Sequence, residues 1–462
     1  MQGFDPFSVS FYNSFCQVIF TGSHVFGAKF AARKNSKTFE PVLPERFYVH
    51  SCEETQSRRV VCAGQMQFHF TFRRLFVKSG YMIKRPFWIE KIEKAWLKAP
   101  IVWLTGVRRV GKTTLASEIA DAYYLNCDLP SSQEQLQDIE RFFKTVPTKR
   151  VILDEVHQLP EPSRILKIGA DCFPELKILA TGSSTLAATQ KFRDSLTGRK
   201  RVVHLLPVLI DELSAFGVHD VKDRLLRGGL PQNLLSPLDH EVFSEWLDSF
   251  YARDIQELFR IEKRSGFLKL LELILHQSGG MLEVTKLSKQ VELSRPTVMN
   301  YLEVLQVTHA AFVLPPFSGG GRREIIGQAK LYGFDTGFIA YARAWTELRS
   351  DDVGSLWEHL VLETLRTTTE EKKIHYWRDK QHREVDFVVE SRRASVDAIE
   401  SKWSANAFDP RGMKAFREIY PTGRNFVISS QSGPPYSRQV GELDLTFANL
   451  ADLPGLLQHI GS

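Results

Sequence analysis

The chain has few cysteines and no pattern for a cysteine-bound metal. Only five of its 462 residues are cysteine, and no two of them form a C-x-x-C pair. The odd count argues against a disulfide framework, and the missing pairs argue against structural zinc. No apolar run approaches the length of a membrane span, and the amino terminus lacks the basic start and apolar core of a secretory signal. We therefore expect a cytoplasmic protein with no membrane partner.

A strong net charge is also absent from most of the chain. The sequence carries 60 Lys and Arg against 54 Asp and Glu, a formal charge of +6. Residues 1–81 hold ten of the basic and five of the acidic residues, so the remainder is nearly neutral. This distribution excludes a global basic surface for nucleic acid. Any contact with DNA must come from local patches such as Arg322 and Arg323.

The first 81 residues have little leucine and no tryptophan. They contain two Leu but 13 of the 32 Phe, and their apolar residues follow neither helical nor strand periodicity for long. We interpret this segment as a poorly ordered or non-native extension, with translation beginning at Met82. A folded accessory element is the alternative.

A complete phosphate-binding loop, G-V-R-R-V-G-K-T, lies at residues 106–113. It follows an apolar run at 101–104 and leads into a helix from Lys112, the context in which this pattern predicts nucleotide binding. The glycines let successive N–H groups face phosphate oxygens, while Lys112 reaches the β- and γ-phosphates and Thr113 ligates Mg²⁺. We expect ATP and Mg²⁺ to be held by Gly106, Val107, Arg108, Arg109, Val110, Gly111, Lys112, Thr113 and Thr114.

Two acidic residues follow a second apolar strand, which we predict at 150–153. Because ligands bind at the carboxyl ends of parallel strands, Asp154 and Glu155 are expected beside the phosphate loop. Asp154 is predicted to hold Mg²⁺, and Glu155 to orient and deprotonate the attacking water. Taken alone, this acidic pair would more often be a solvated turn.

A third strand, predicted at 177–181, ends in polar residues. Ser183 is predicted to sense the γ-phosphate, although Ser183 or Ser184 also suits the N-cap of a helix at 185–196. Arg199 is the main candidate for a finger that reaches a neighbour's γ-phosphate, which would require a homo-oligomer. Arg193 is a second candidate, and an ordinary surface cation at a helix C-terminus is the alternative for Arg199.

These motifs together resemble one protein family. The segments L-T-G-V-R-R-V-G-K-T-T-L, I-L-D-E-V-H-Q, T-G-S-S, L-T-G-R and G-G-L-P are similar to those of AAA+-type ATPases of bacteria and archaea. The later segments Y-A-R-D-I, F-D-T-G, Y-W-R and E-V-D-F also match, so the resemblance covers residues 82–462. It implies a carboxyl-terminal domain of unknown function with a restriction-endonuclease-like fold of the PD-(D/E)xK type.

The carboxyl-terminal third carries acids and a lysine on predicted strands. Asp386 lies on a strand at 385–389, while Glu400 and Lys402 lie two apart on a strand at 397–402 and share a face. Asp386 and Glu400 would bind a divalent ion, Lys402 would position or activate water, and Glu358 would add one more acid. The alternative is that these acids and the lysine are ordinary surface residues. The resemblance supports the nuclease-like fold, although Ser401 replaces a residue that is usually apolar in the family.

A winged helix is predicted between these two parts. Helices are expected at 267–277, at 285–291 and from Ser294 onward, and a strand at 312–314 followed by glycines would supply the wing. The third helix would present one face to the core and another to a DNA groove. The inward residues are Val298, Tyr301, Leu302 and Leu305, and the outward ones are Arg295, Thr297 and Asn300. A packing module or a protein contact is the alternative.

The predicted fold class is α/β with several parts in series. A parallel P-loop sheet of the AAA+ type occupies 82–215, with an extra strand at 124–128, and a helical connection follows at 216–265. The winged helix occupies 266–345, and a mixed α/β nuclease-like domain occupies 346–462.

Three functions fit this organisation. In the first, an ATPase controls a metal-dependent nuclease on DNA. In the second, an ATP-driven regulator acts on a protein partner and the nuclease-like domain is an inactive scaffold. In the third, the protein is a DNA-binding regulator with ATP as its ligand.

Overall fold

The computed structural model describes two compact units, Met1–Met82 and Ile83–Ser462. Described are residues 9–12, 15–18, 58–61, 67–70 and 83–458, with gaps at 183–193, 257–258, 260, 262, 320–327, 392–394 and 432. In the first unit, strands β1 (Val9–Tyr12) and β2 (Phe15–Val18) pair antiparallel, as do β3 (Arg58–Val61) and β4 (Gln67–Phe70). The expectation for residues 1–81 falls mainly outside the described residues and stays a prediction.

A five-stranded parallel sheet opens the second unit, as the sequence predicted. Its strands are β5 (Ile101–Thr105), β6 (Ala122–Asn126), β7 (Arg150–Asp154), β8 (Lys177–Thr181) and β9 (Lys200–His204), in the order β6-β7-β8-β5-β9. The central strands β5, β7 and β8 are almost entirely buried, which accounts for their continuous apolar runs. Strand β6 begins two residues earlier than predicted, because this half-exposed edge strand has a weaker apolar pattern.

Helices bury the two faces of this sheet in separate cores. Val102 and Leu104 of β5 belong to a core with Trp88 and Leu115, whereas Trp103 belongs to another core with Phe142 and Leu166. This alternation is the two-residue period of a strand. The helices are α1 (Pro86–Trp96), α2 (Lys112–Ser117), α3 (Pro130–Gln135), α4 (Ile139–Thr145) and α5 (Pro162–Cys172).

A mainly helical segment and then a small antiparallel sheet follow. The helices are α6 (Val221–Arg227), α7 (Pro231–Leu235), α8 (His240–Phe250), a π-helical turn (Tyr251–Gln256), α9 (Arg264–His276), α10 (Val284–Gln290), α11 (Arg295–Val307) and α12 (Thr336–Ala342). Strands β10 (Gly280–Met281), β11 (Ala311–Leu314) and β12 (Lys330–Gly333) form a sheet in the order β10-β12-β11. Ser294 caps α11 by accepting a hydrogen bond from Thr297 N. The four residues predicted to face inward on α11 are buried, which confirms that part of the prediction.

The carboxyl-terminal part is a six-stranded mixed sheet with helices. Its elements are α13 (Ser350–Thr368), β13 (Ile374–Arg378), β14 (Glu384–Glu390), β15 (Val396–Lys402), α14 (Pro410–Ile419), β16 (Asn425–Ser429), β17 (Tyr436–Val440), β18 (Leu443–Asn449) and α15 (Leu453–Gln458). The strand order is β13-β14-β15-β16-β18-β17, with β15, β16 and β18 parallel to one another. Within the described ranges, no helix has the length and apolar character needed to cross a membrane.

Two segments that carry the family resemblance, G-G-L-P and F-D-T-G, meet in a buried junction. Asp335 accepts hydrogen bonds from Gly229 N (2.6 Å) and Gly337 N (2.9 Å). A Cβ atom on Gly228 would lie 1.9 Å from Asp335 Oδ1, and one on Gly337 would lie 2.5 Å from the backbone of Arg227. Only glycine fits such approaches, so these segments act as packing contacts that bring α6 against α12.

Candidate functional site

The phosphate-binding loop is shaped by its two glycines. Gly106 has a φ of +149°, and a Cβ there would lie 2.4 Å from the carbonyl oxygen of Leu205. Gly111 has a φ of +100° and precedes the first residue of α2. The ammonium of Lys112 turns back into the loop and donates to Gly106 O (2.9 Å) and Val107 O (3.2 Å). The loop therefore has the curvature and the half-buried cation that a phosphate group needs.

Two arginines tie this loop to the helical segment. Arg108 Nη1 lies 3.0 Å from Asp254 Oδ2 in the π-helical turn, and Arg109 Nη2 lies 3.1 Å from Glu245 Oε1 in α8. The indole of Trp246 donates to Arg108 O at 3.1 Å. A change in the position of the loop would therefore reach α8 directly.

The other predicted loop residues separate into buried and exposed groups. Val107 and Val110 are buried, whereas Thr113 and Thr114 are exposed on the first turn of α2. Burial lowers the pKa of the Lys112 ammonium, and Glu155, Asp254 and Asp154 oppose that shift. Thr113 thus has a free path to a metal ion, and the acids that follow β7 lie within electrostatic reach of Lys112.

Asp154 ends β7 and is held by two hydroxyl groups. Its side chain accepts hydrogen bonds from Tyr124 OH (2.6 Å) and from the hydroxyl of Thr181, the last residue of β8. The Thr181 oxygen in turn accepts the N–H of Glu155 at 3.0 Å. Thr181 thereby fixes both predicted acids from the neighbouring strand, a role that the sequence reasoning missed.

Glu155 has a strained backbone conformation. Its φ of +55° lies in the left-handed region, which a residue with a Cβ seldom occupies. Its Oε2 atom lies 3.2 Å from His157 Nδ1. The hydrogen bond from His157 lowers the pKa of the Glu155 carboxyl, burial opposes the shift, and Lys112 adds to it. Glu155 is therefore ionised at neutral pH and able to accept a proton.

Arg199 lies at the wrong edge of the sheet to reach its own phosphate loop. Its carbonyl oxygen accepts from Ile101 N (3.1 Å) at the amino-terminal ends of β5 and β9, whereas the loop follows the carboxyl end of β5. The guanidinium pairs with Asp171, with Nε 2.5 Å from Oδ1. A finger role for Arg199 would need a second copy of the chain and stays a prediction. Ser183, Ser184 and Arg193 lie outside the described residues.

The predicted acids and lysine of the carboxyl-terminal sheet converge. Lys402 Nζ lies 3.0 Å from Asp386 Oδ2 and 2.7 Å from Glu400 Oε2. Ser401 N also donates to Asp386 Oδ2 at 2.8 Å. Burial raises the pKa of Glu400 well above its ordinary value, and Asp386 raises it further. Burial by itself raises the pKa of the Asp386 carboxyl, but the ammonium groups of Lys402 and Lys330 hold that pKa below its ordinary value.

Glu358 of α13 joins this group through a second lysine. Lys330 Nζ lies 3.0 Å from Glu358 Oε1 and 2.6 Å from Glu384 Oε1, and Tyr332 OH donates to Glu358 at 2.5 Å. Burial lowers the pKa of Lys330, but Glu358, Asp386 and Glu384 outweigh it and hold the pKa above its ordinary value. Burial raises the pKa of Glu358, and Lys330 opposes that shift. We call Glu358, Glu384, Asp386, Glu400, Lys330 and Lys402 the acid cluster.

The acid cluster has the donor atoms of a divalent-metal site but not its geometry. Carboxylate oxygens suit Mg²⁺ and Mn²⁺. Among the residues that the structure describes, however, no three His, Cys, Asp or Glu side chains are arranged to hold a metal ion. The carboxylates are paired with the two lysines instead. Asp386 and Glu400 meet at Lys402, and Glu358 lies within electrostatic reach of Asp386, so a metal ion would have to displace the ammonium groups.

Lys330 was not among the predicted site residues. Its acid partners Glu358 and Glu384 lie on a different sheet and helix, 28 residues away in the case of Glu358. The available signal was a single lysine at the start of an otherwise apolar strand, where a charge is seldom buried without a partner.

Three family models match consecutive parts of the chain. Residues 98–214 match a model described as AAA domain, which covers the parallel sheet, the phosphate loop and the acids after β7. This region is an AAA-type P-loop ATPase domain. Residues 218–349 and 353–440 match models described as domains of unknown function, DUF8612 and DUF4143. The carboxyl-terminal match agrees with the resemblance seen in the sequence, and its description contains no nuclease.

Other proteins and solved structures are similar to parts of this chain. Uncharacterized proteins of Mycobacterium bovis and Mycobacterium tuberculosis are each 27% identical over 379 residues, 76% of this chain and 83% of the relative. Cdc6p from Pyrobaculum aerophilum shares 13% identity with a TM-score of 0.25, over 58% of this chain and 96% of its own. AMPPCP-bound DnaA from Aquifex aeolicus shares 14% identity with a TM-score of 0.25, over 47% and 85%.

The buried carboxyl of Glu400 is expected to lower the stability of the folded protein as pH rises. Because its pKa is higher in the folded than in the unfolded chain, the folded state holds this proton more tightly, and stability is lost as pH rises above the ordinary pKa of Glu. In metal-free buffer at pH 7.5, we expect Glu400→Gln to melt roughly 2–4 °C above the parent, as about 1 kcal/mol would produce. Near pH 4 the difference should vanish. Glu442→Gln, at an exposed position, is the matched control, and an unchanged or lower melting temperature for Glu400→Gln at pH 7.5 would refute the cost.

Proposed function

We propose that this protein hydrolyses ATP at the loop of residues 106–113. The observation that carries the proposal is an ionised carboxylate, Glu155, held by His157 and Thr181 within electrostatic reach of the half-buried Lys112. A phosphate-binding site alone needs only the loop. A base fixed beside it supports hydrolysis as well as binding.

Each residue of the site has a distinct part in this proposal. Lys112 exchanges its bonds with the loop carbonyls for oxygens of the β- and γ-phosphates, and Thr113 offers its hydroxyl to Mg²⁺. Asp154, oriented by Tyr124 and Thr181, holds the water shell of the ion. Mg²⁺ neutralises charge on the phosphates when it is bound. Glu155 takes the proton of the attacking water, and the bond from the γ-phosphorus to the bridging oxygen of ADP breaks.

Two substitutions separate ATP binding from ATP hydrolysis. Lys112→Ala should weaken nucleotide binding, because it removes the positive charge that faces the phosphates. Glu155→Gln should keep binding and lose at least about a hundredfold in turnover, because the amide cannot accept the water's proton. Fluorescent-nucleotide titration and phosphate release measure the two quantities, with Lys98→Ala, at an exposed position on the same domain, as the control. Unchanged turnover in Glu155→Gln would remove Glu155 from its role.

We further propose that the acid cluster is the divalent-metal site of a restriction-endonuclease-like domain that cleaves DNA. Support comes from Asp386, Glu400 and Lys402 on adjacent strands, with Glu358 brought beside them by α13. Burial lowers the pKa of the Lys402 ammonium, but the nearby carboxylates of Asp386 and Glu400 raise it by more. Lys402 therefore stays protonated as an ammonium. Lys402 would therefore position the attacking water and stabilise charge on the phosphate, while a carboxylate or solvent takes the proton.

The segment between the two sites supports contact with DNA. Helix α9, strand β10, helices α10 and α11, and strands β11 and β12 follow in the order of a winged helix. On α11, Arg295 and Asn300 are exposed, and the Thr297 hydroxyl shares a hydrogen bond with Ser294 Oγ at 2.7 Å. Arg322 and Arg323 lie outside the described residues. The alternative proposal is an ATP-driven regulator of a protein partner. It is favoured by Lys330 and Lys402, whose ammonium groups are paired with the carboxylates of the acid cluster.

Plasmid cleavage discriminates these alternatives. If the domain is a nuclease, the parent should nick supercoiled plasmid in Mg²⁺ or Mn²⁺, and Lys402→Met should lose at least about a hundredfold, because it removes the charge that faces the phosphate. Lys380→Met, at an exposed position in the turn between β13 and β14, should nick as the parent does. No nicking by a parent that turns over ATP normally would contradict the nuclease and leave the regulator.

A further inference from the structure

Lys330 is a buried cation that neither proposed reaction uses. It is the first residue of β12, and its side chain is 5% exposed. Strand β12 belongs to the three-stranded sheet, while the carboxylates that receive the ammonium belong to α13 and β14. The ammonium also lies 5.5 Å from the centroid of the Tyr376 ring. Strand β12 of the small sheet therefore places a positive charge among carboxylates of the carboxyl-terminal part.

The two lysines divide the cluster between them. Lys402 pairs with Asp386 and Glu400, and Lys330 pairs with Glu358 and Glu384. A buried ammonium is costly unless it is paired, and so is a buried carboxylate, so each group depends on the other. Arg378 reaches only the second oxygen of Glu384, at 3.7 Å. Lys330 is thus the only cation with a described contact to the Glu358 carboxylate.

We propose that Lys330 is a built-in counter-ion that competes with a divalent metal ion for Glu358. This inference rests on the proposed metal role of the acid cluster and names its regulation. A metal ion bound to either oxygen of Glu358, at the roughly 2.1 Å typical of Mg²⁺, would lie beside an ammonium that is already 3.0 Å from Oε1. The two cations repel each other, so the ammonium opposes metal binding as long as it stays at this carboxylate.

The position of Lys330 is fixed by the sheet and helices proposed to contact DNA. Its backbone is opposite Met281 of β10 and Leu314 of β11. Strand β11 follows α11 directly, after a short turn. The position of the ammonium is therefore tied to the pairing of β12 with β10 and β11.

Manganese binding by the full-length chain tests the inference without any cleavage assay. Calorimetry or Mn²⁺ electron paramagnetic resonance is performed without nucleotide on the parent, Lys330→Met and Lys330→Arg. Removing the unit charge while keeping the length of the side chain should tighten Mn²⁺ binding at least about tenfold. Lys330→Arg keeps the charge and should bind no more tightly than the parent. Asp386→Asn identifies any Mn²⁺ held elsewhere.

A second substitution locates the competition at Glu358. In the Lys330→Met background, Glu358→Gln should weaken Mn²⁺ binding at least about tenfold, because a freed ligand is lost. In the parent background the same substitution should change Mn²⁺ binding much less, because Lys330 already occupies that carboxylate. Equal effects in the two backgrounds would overturn the competition.

The outcomes separate this inference from the proposed metal site. Equal, measurable Mn²⁺ affinities in the parent and Lys330→Met, both abolished by Asp386→Asn, would overturn the role of Lys330 and leave the metal site standing. No Mn²⁺ binding to the cluster in any variant would overturn both. If Lys330→Met fails to fold, Lys330→Met/Glu384→Gln replaces it, since this pair removes the lysine together with one of its two carboxylates.

Discussion

The guanidinium of Arg224 is fully buried and bonds to three separate parts of the second unit. It donates to Val208 O (2.9 Å) after the parallel sheet, to Thr336 Oγ1 (2.9 Å) on α12, and to Glu363 Oε2 (2.7 Å) on α13. Burial raises the pKa of Glu363 to about 7, and Arg224 opposes that shift. A buried charge of this kind is tolerable only while all its partners are in place. The ATPase domain, the helical segment and the carboxyl-terminal sheet therefore share one anchoring point.

A second polar chain runs from the phosphate loop toward the carboxyl-terminal part. Thr105, immediately before the loop, shares a hydrogen bond with His309 Nε2 (2.8 Å), whose ring lies 4.0 Å from that of His204. His204 in turn contacts Glu371 at 3.3 Å and Arg366 at 3.2 Å. Burial lowers the pKa of both histidines, so they are neutral at physiological pH. Nucleotide-dependent movement of β5 would reach α13 through packed neutral rings.

The sequence predicted what short-range patterns specify. The loop at 106–113, the apolar strands before Asp154 and Thr181, and the period-two placement of Glu400 and Lys402 all follow from local chemistry. The contacts that pair these elements come from distant residues and leave no local pattern. Thr181 is separated from Asp154 by 27 residues, and Arg224 from Glu363 by 139. The pairing of Lys330 with distant carboxylates, and the place of Arg199 at the amino-terminal ends of β5 and β9, depend on how the strands are arranged in the sheets.

We propose that the second unit carries two divalent-ion sites, one for nucleotide and one in the acid cluster. Anomalous diffraction at the manganese edge, from crystals of the full chain grown with Mn²⁺ and a non-hydrolysable ATP analogue, would locate both ions. We expect two peaks, one beside Thr113 and Asp154 and one among Glu358, Asp386 and Glu400. A peak at the nucleotide alone, with Lys330 still on Glu358 at saturating Mn²⁺, would contradict the second site. The absence of a peak beside Thr113 would contradict the first.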